Sequence, residues 1–177
     1  MEYPKVVVFD LDYTLWPCWC DTHISPPLRS KSTDVVVDKY GYELSFYKDV
    51  GDIFQDLQAN GVLIVSASRT CAPAVAKKLL KLLHLNGEPA INHLDHMEWG
   101  THSKKKHIAR ALEQFEEDIK FEDVILFDDE VRNKDVESIG CLFAHISNEK
   151  VGLNKIIYER ALGEWRKKNK KRTKKSN

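Results

Sequence analysis

Four short apolar runs recur along the chain: Lys5 to Phe9, Val62 to Val65, Val124 to Phe127 and Cys141 to Ile146, each bounded by polar residues or glycine. Runs of this length, rich in β-branched residues and without polar alternation, predict strands buried on both faces, as in a parallel sheet. Between them the apolar positions change to helical spacing. Helices are predicted over Val50 to Gln58, closed by Asn60-Gly61; over Ala74 to Leu83, closed by Asn86-Gly87; and over Lys104 to Phe115. Strands alternating with helices imply right-handed crossovers and a layered α/β fold. The pattern breaks from Pro17 to Lys39, which carries Pro26-Pro27 and several Ser and Thr, and a loop is expected there. Asp34 to Asp38 and Tyr42 to Phe46 flank a Tyr40-Gly41 turn and predict a small hairpin. Near the end, Leu153, Ile156, Ile157, Ala161 and Trp165 stand close to helical spacing, so Gly152 to Lys168 reads as a terminal helix fraying into a basic tail.

Composition adds bounds. At 177 residues, 42% hydrophobic and 10% aromatic, the chain can bury one sizeable core, and a wholly disordered or collagen-like chain is excluded. No apolar run approaches the roughly 18 residues of a membrane helix, so no membrane partner is expected. The opening Met1-Glu2-Tyr3-Pro4-Lys5 shows no secretory pattern, and an intracellular, cytoplasmic setting is expected, with the nucleus as a further compartment. Lys plus Arg and Asp plus Glu both number 27, but eight of the basic residues lie in Arg166 to Lys175, where no acid stands. The remainder holds 19 basic against 27 acidic residues, net −8, so an acidic body carries a basic end. That end reads as a solvated tail or a nuclear-import signal, and any nucleic-acid contact is expected only through it. Cys18, Cys20, Cys71 and Cys141 show no paired metal-ligand spacing; Cys18-Trp19-Cys20 is either a thiol pair for a metal or two buried thiols.

Candidate chemistry gathers at the strand ends. In an open α/β sheet, ligands bind beyond the carboxyl ends of the strands. Asp10-Leu11-Asp12 stands just past the first strand, where one carboxylate can serve as nucleophile and the other as proton donor. Alone, Asp-x-Asp is equally a solvated turn or a helix start. A second strand, Ile125 to Phe127, runs into Asp128-Asp129-Glu130. If the two strands are neighbours, roughly 4.8 Å apart, their carboxylates converge and repel. A divalent cation relieves that repulsion, and hard oxygen ligands favour Mg2+. Ser66-Ala67-Ser68-Arg69-Thr70, after Val62 to Val65, offers hydroxyls, backbone N–H groups and a guanidinium to phosphoryl oxygens, or equally a helix cap with a surface arginine. Ser103-Lys104-Lys105-Lys106 opens a helix, where cations oppose the dipole; one lysine held there by the carboxylates would offset their charge.

The order Asp10-x-Asp12-x-Thr14-Leu15, a hydrophobic strand with Ser68, then Lys104, then Asp128-Asp129 resembles the four motifs of the haloacid dehalogenase superfamily. The stretch from Asp10 through Trp16-Pro17 to Asp21-Thr22-His23, with Ser68-Arg69-Thr70, Ser103-Lys104 and Phe127 to Asn133, is similar to its magnesium-dependent (acid) phosphatase branch. The likeness covers about residues 5 to 147. It implies a three-layer Rossmann-like parallel sheet in one phosphatase-like domain, taken as residues 1–165; the likeness does not cover residues 166–177, which read from their composition as a basic, disordered tail. It also implies that Asp10 attacks phosphorus to form an aspartyl-phosphate, and that Asp12 protonates the leaving oxygen and later activates water. Mg2+ would be held by Asp10, the Asp12 carbonyl and Asp128, with Asp129 acting directly or through water; Ser68 and Lys104 would bind phosphoryl oxygens, and Arg69 substrate or phosphate. Cys18 and Cys20 depart from the branch, which usually has bulky or aliphatic residues there. The gap from Leu15 to Gly61 must hold a loop, a small hairpin and a helix, and the gap from Thr70 to Thr101 is used up by one crossover helix and a strand, so no room remains for a large cap. An open site on a monomer is expected, and the resemblance implies phosphotyrosine in proteins or phosphorylated sugars and glycated amines as its substrates. Tyr13, Trp16 and Trp19 are candidates for stacking on a ring, with core packing expected for at least two. His23 is a candidate for orienting the Asp10 loop. A receiver-like regulatory module without turnover also gathers acids and a lysine, but it lacks Asp-x-Asp after the first strand.

Overall fold

The computed structural model describes residues 2–175. Along the chain, strand β1 (Val6–Phe9) leads into a short helix α1 (Cys20–His23) and three two-residue strands, β2 (Arg29–Ser30), β3 (Val36–Val37) and β4 (Glu43–Leu44). Then come α2 (Val50–Ala59), β5 (Leu63–Ser68), α3 (Pro73–Leu82), the hairpin β6 (His84–Leu85) with β7 (Glu88–Pro89), β8 (His96–Trp99) and α4 (Lys104–Leu112). The chain closes with β9 (Val124–Asp128), a 3-10 segment over Val131–Ile139, β10 (Leu142–His145) and α5 (Lys155–Lys175).

The main sheet has five parallel strands in the order β10-β9-β1-β5-β8. Successive residues of a strand face opposite sides, so β1 feeds two cores. Val7 and Phe9 pack with α2, α3 and α5 residues such as Phe54, Leu79 and Leu162. Val6 and Val8 pack with Ile108 and Ala111 of α4 and Val136 of the 3-10 segment. Helices thus cover both faces, which is the layered α/β architecture expected from the alternating pattern, in the three layers that the resemblance implies. The chain runs from β1 to β5 and β8 on one side and returns to β9 and β10 on the other, so the direction of winding reverses at β1. That switch point opens a crevice at the strand ends. Register aims the acids at it: Phe9 is level with Phe127 and Ser66, so Asp10 and Asp128 leave neighbouring strands at the same height.

The insertion between β1 and α2 is small. The expected hairpin pairs Val36–Val37 with Glu43–Leu44, and Arg29–Ser30 adds a third antiparallel strand. No large cap is present among the described residues. Three readings are corrected. The stretch Pro17 to Lys39, expected as loop, contains α1 and β2, and β5 runs on to Ser68 because Ser66 pairs beside Phe9 and Ser68 beside Trp99. The basic segment 166–177, expected as a disordered tail, continues α5 through Lys175; its last two residues lie outside the described ones. Lys and Arg are good helix formers, and the segment is tied down. Arg166 Nε donates to the Glu2 carbonyl at 2.8 Å and its guanidinium lies 5.1 Å over the Tyr3 ring, while Arg172 donates to the Glu122 carbonyl at 3.1 Å.

Candidate active site

Asp10 is the first residue beyond β1, and its N–H donates to the Phe127 carbonyl at 2.9 Å, which carries the ladder one step past the strand. Its carboxylate Oδ1 accepts from Lys104 Nζ at 2.8 Å. Lys104, at the first turn of α4, also reaches Asp128 Oδ2 at 3.3 Å and donates to the Ala67 carbonyl. It is 1% exposed, and a buried ammonium is tolerable only when paired and hydrogen-bonded as here. Ser103 caps α4, its Oγ accepting from the Lys106 N–H at 3.2 Å, which fixes where the helix begins and so where Lys104 points. Lys105 turns away, with Asp135 at 3.9 Å.

Asp128 ends β9 fully buried; its Oδ1 accepts from the Glu130 N–H at 2.8 Å and its Oδ2 from Asn133 Nδ2 at 2.9 Å. One carboxylate oxygen from each of Asp10, Asp128 and Asp129 lies within 4.8 Å of the others. Lys104 brings one positive charge to these three acids. Burial first and the facing Asp10 second push Asp128 up to about 6 and Asp129 up to about 8, so in the absence of a cation the cluster retains protons near neutrality. Asp10 is raised by burial, with Lys104 opposing. Burial works against the Lys104 ammonium, but Asp10 and Asp128 outweigh it and raise its pKa. An oxygen-only donor set short of positive charge fits a hard divalent cation, and the set fits Mg2+.

Asp12 sits two residues on, in a loop closed by the Tyr13 N–H donating to the Trp16 carbonyl at 2.8 Å. Its Oδ1 accepts from Trp16 Nε1 at 2.7 Å and from the Cys20 N–H at 3.1 Å. Burial raises its pKa against these hydrogen bonds. Ser68, buried, accepts the Thr70 N–H on its Oγ at 3.2 Å. The crevice over these residues measures about 250 Å³ and is rimmed by Trp19, Asp21, Arg69, Thr70, Glu130 and Arg132, with Asp10, Asp12, Ser68, Lys104 and Asp129 in its wall.

The structure therefore brings Asp10, Asp12, Ser68, Arg69, Lys104 and Asp129 to one crevice, with Asp128 directly behind. Trp16 is core, as is Cys18, while Trp19 is half exposed and stacks on His23 with centroids 5.4 Å apart. Cys18 and Cys20 are buried free thiols. Among the described residues neither joins the clustered acids, so the metal reading of Cys18-Trp19-Cys20 finds no support. Sequence reasoning missed Asn133 and Trp16 as partners of the acids. The stretch Phe127 to Asn133 contained the signal for Asn133, whereas nothing in the spacing of Trp16 shows where its indole points.

The family model described as Acid Phosphatase matches residues 2–168. A Saccharomyces cerevisiae protein, described provisionally as a magnesium-dependent phosphatase, is 39% identical over 168 residues, covering 89% of this chain and 94% of its own. Human magnesium-dependent phosphatase 1 is 40% identical over 146 residues, covering 82% of this chain and 79% of its own. Among solved structures, the N-terminal part of a Bacteroides fragilis protein, containing a phosphatase domain complexed with Mg, superposes with a TM-score of 0.60 at 14% identity, covering 90% of this chain and 40% of that one. That likeness is one of fold.

Proposed function

The chain belongs to the acid phosphatase family of the haloacid dehalogenase superfamily, and from that premise we propose that it is a magnesium-dependent phosphomonoester hydrolase whose nucleophile is Asp10. The observation that carries the reading is the convergence of Asp10, Asp128 and Asp129, with the buried Lys104 paired to Asp10 and Asp128. Asp10, Asp128 and Asp129 through carboxylate oxygens and Asp12 through its carbonyl would hold Mg2+. When bound, the ion supplies the positive charge that lets these acids ionise together and that offsets the charge of the phosphoryl group.

The remaining work falls to the chain. Asp10, fixed at the end of β1 and held by Lys104, attacks phosphorus, and an aspartyl-phosphate forms as the bond to the leaving oxygen breaks. Asp12 donates its proton to that oxygen and then takes one from the water that hydrolyses the intermediate. Lys104 and the Ser68 hydroxyl bind the phosphoryl oxygens, and Arg69 at the rim meets phosphate or the substrate around it. The half-exposed Trp19, braced by His23, favours an aromatic phosphate, with phosphotyrosine in a protein as the first reading. The acids Asp21 and Glu130 on the same rim favour instead a substrate bearing an amine, such as a phosphorylated glycated amine.

Acid-quenched wild-type enzyme should carry phosphate on the peptide containing Asp10, and Asp10→Asn should carry none and fall to background turnover. Lys104→Ala should lose on the order of 10²-fold or more, as for other donors that meet developing negative charge. Lys105→Ala, which removes only a surface contact, should stay within about threefold. Retained turnover in Asp10→Asn, or a damaging Lys105→Ala beside a silent Lys104→Ala, would sink these assignments. A panel of phosphotyrosine peptides, sugar phosphates and phosphorylated glycated amines separates the two substrate readings.

A further inference from the structure

The acid at Asp12 is held by an unusual pair of donors. Its Oδ1 receives the Trp16 indole N–H at 2.7 Å and the Cys20 backbone N–H at 3.1 Å, while its other oxygen, Oδ2, has the Cys20 thiol at 3.7 Å. A buried indole N–H needs an acceptor, and a backbone carbonyl serves: Trp165 donates to the Glu122 carbonyl at 2.8 Å. Trp16 is also fully buried, stacked on Phe46 with centroids 5.8 Å apart, yet its N–H goes to a carboxylate. Getting it there takes a tight reversal in which Tyr13, a bulky residue, adopts φ +54.

We propose that Trp16 is a positioning residue for Asp12, which fixes the plane of the carboxyl and leaves Oδ2 as the oxygen that carries the proton. A proton on Oδ1 would point at two N–H donors already there, whereas Oδ2 meets only the weak S–H donor of Cys20, which can turn to Thr70 Oγ1 at 3.5 Å, so a proton on Oδ2 leaves Oδ1 a carbonyl-like acceptor for both N–H groups. In the first half-reaction Oδ2–H passes its proton to the leaving oxygen, which keeps the electron pair of its broken bond to phosphorus as Asp10 bonds to phosphorus. In the second, Oδ2 takes a proton from water. The inference rests on the proton-donor reading of Asp12 above.

The test is single-turnover phosphoryl transfer over leaving groups of graded basicity, at saturating Mg2+, for wild type, Trp16→Phe and Asp12→Asn. Phe keeps a ring against Phe46 and removes only the N–H and part of the ring area. Trp16→Phe should slow alkyl phosphates about tenfold or more, the size expected for one hydrogen bond to a carboxylate whose charge develops as its proton leaves, and p-nitrophenyl phosphate by less than about threefold, since that leaving group needs no proton. Asp12→Asn should show the same gradient more steeply. An even loss across the series in Trp16→Phe, beside a graded loss in Asp12→Asn, would mean that Trp16 only packs the core and would overturn the proposal alone. A flat Asp12→Asn profile would instead remove the proton-donor reading, and the proposal with it. Should Trp16→Phe fail to fold, the indole resonances decide: one of the four indole N–H protons should lie downfield in wild type and move upfield in Asp12→Ala, and an unchanged set would overturn the contact.

Discussion

Asn133 shows how a residue outside the reacting group controls the site. Its amide holds Asp128 Oδ2 at 2.9 Å while the Glu130 N–H holds Oδ1 at 2.8 Å, so the carboxylate plane is set before any cation arrives. Removing such a support typically weakens metal binding 10- to 100-fold. Asn133→Ala should therefore raise the Mg2+ concentration for half-maximal turnover by about 10- to 100-fold while largely restoring turnover at saturation. A Mg2+ titration of activity checks this, and an unchanged midpoint would show that Glu130 and Lys104 suffice to orient Asp128. At this scale the sequence was informative wherever spacing translates into geometry. Lys104 is singled out among three lysines by the family spacing after Ser103, and the structure supplies the reason: Ser103 caps α4, and helix geometry separates neighbouring side chains by about 100°. The link from Trp16 to Asp12 was not legible, because four residues apart in an irregular loop means nothing until the left-handed Tyr13 is known.

Between elements, the loop bearing Asp10 and Asp12 hangs from two backbone bonds: the Tyr47 N–H donates to the Leu15 carbonyl at 2.9 Å and the Leu153 N–H to the Thr14 carbonyl at 3.0 Å. Both anchors meet at Gly152, which links β10 to α5 at φ +59, and a Cβ there would lie 2.1 Å from the Tyr47 ring. Gly152→Ala combines an unfavourable backbone angle with overpacking and should cost about 2–4 kcal/mol. Chemical denaturation would show it as a lowered midpoint with unchanged slope. A cost below about 1 kcal/mol would mean that Tyr47 swings aside freely. The strands β1, β5, β9 and β10 were legible because each contains a run of apolar residues that face both sides of the sheet. β8 was not, since His96-Met97-Glu98-Trp99 lies at the sheet edge and carries polar residues; only the length of the gap after Thr70 required a strand there. The 3-10 segment Val131–Ile139 had no apolar period to reveal it. The end of α5 misled for a different reason: a run of cations reads as solvated, while Arg166 and Arg172 find backbone carbonyls on the body.

For the molecule as a whole, the same acids set how folding responds to pH. Without a cation, burial raises Asp10, Asp12, Asp128 and Asp129, Asp128 to about 6 and Asp129 to about 8. A carboxyl that holds its proton more tightly folded than unfolded makes the folded state the better proton binder, so stability rises as pH falls from about 8 toward the unfolded value near 4. His107 works in the opposite sense. It is fully buried, and burial, then Lys104, lower its pKa to about 4, so the unfolded chain takes the proton first and stability is lost as pH falls from about 6.5 toward 4. The raised Lys104 matters only above pH 10, where its loss of a proton would remove the pairing. Between pH 6.5 and 8.5 the carboxylates therefore act unopposed. In EDTA the protein should melt lower at pH 8.5 than at pH 6.5, by roughly 3–10 °C, corresponding to about 1–3 kcal/mol. Saturating Mg2+ should abolish or reverse that difference, because the cation binds the ionised cluster, competes with its protons and stabilises the fold that holds it. The loss below pH 6.5 should persist with Mg2+ and shrink in His107→Gln, which carries no titrating ring. Thermal melts at pH 5, 6.5 and 8.5, with EDTA or Mg2+, read all of this. Equal melting temperatures at pH 6.5 and 8.5 in EDTA would show that the four carboxylates are not confined together in a dry crevice.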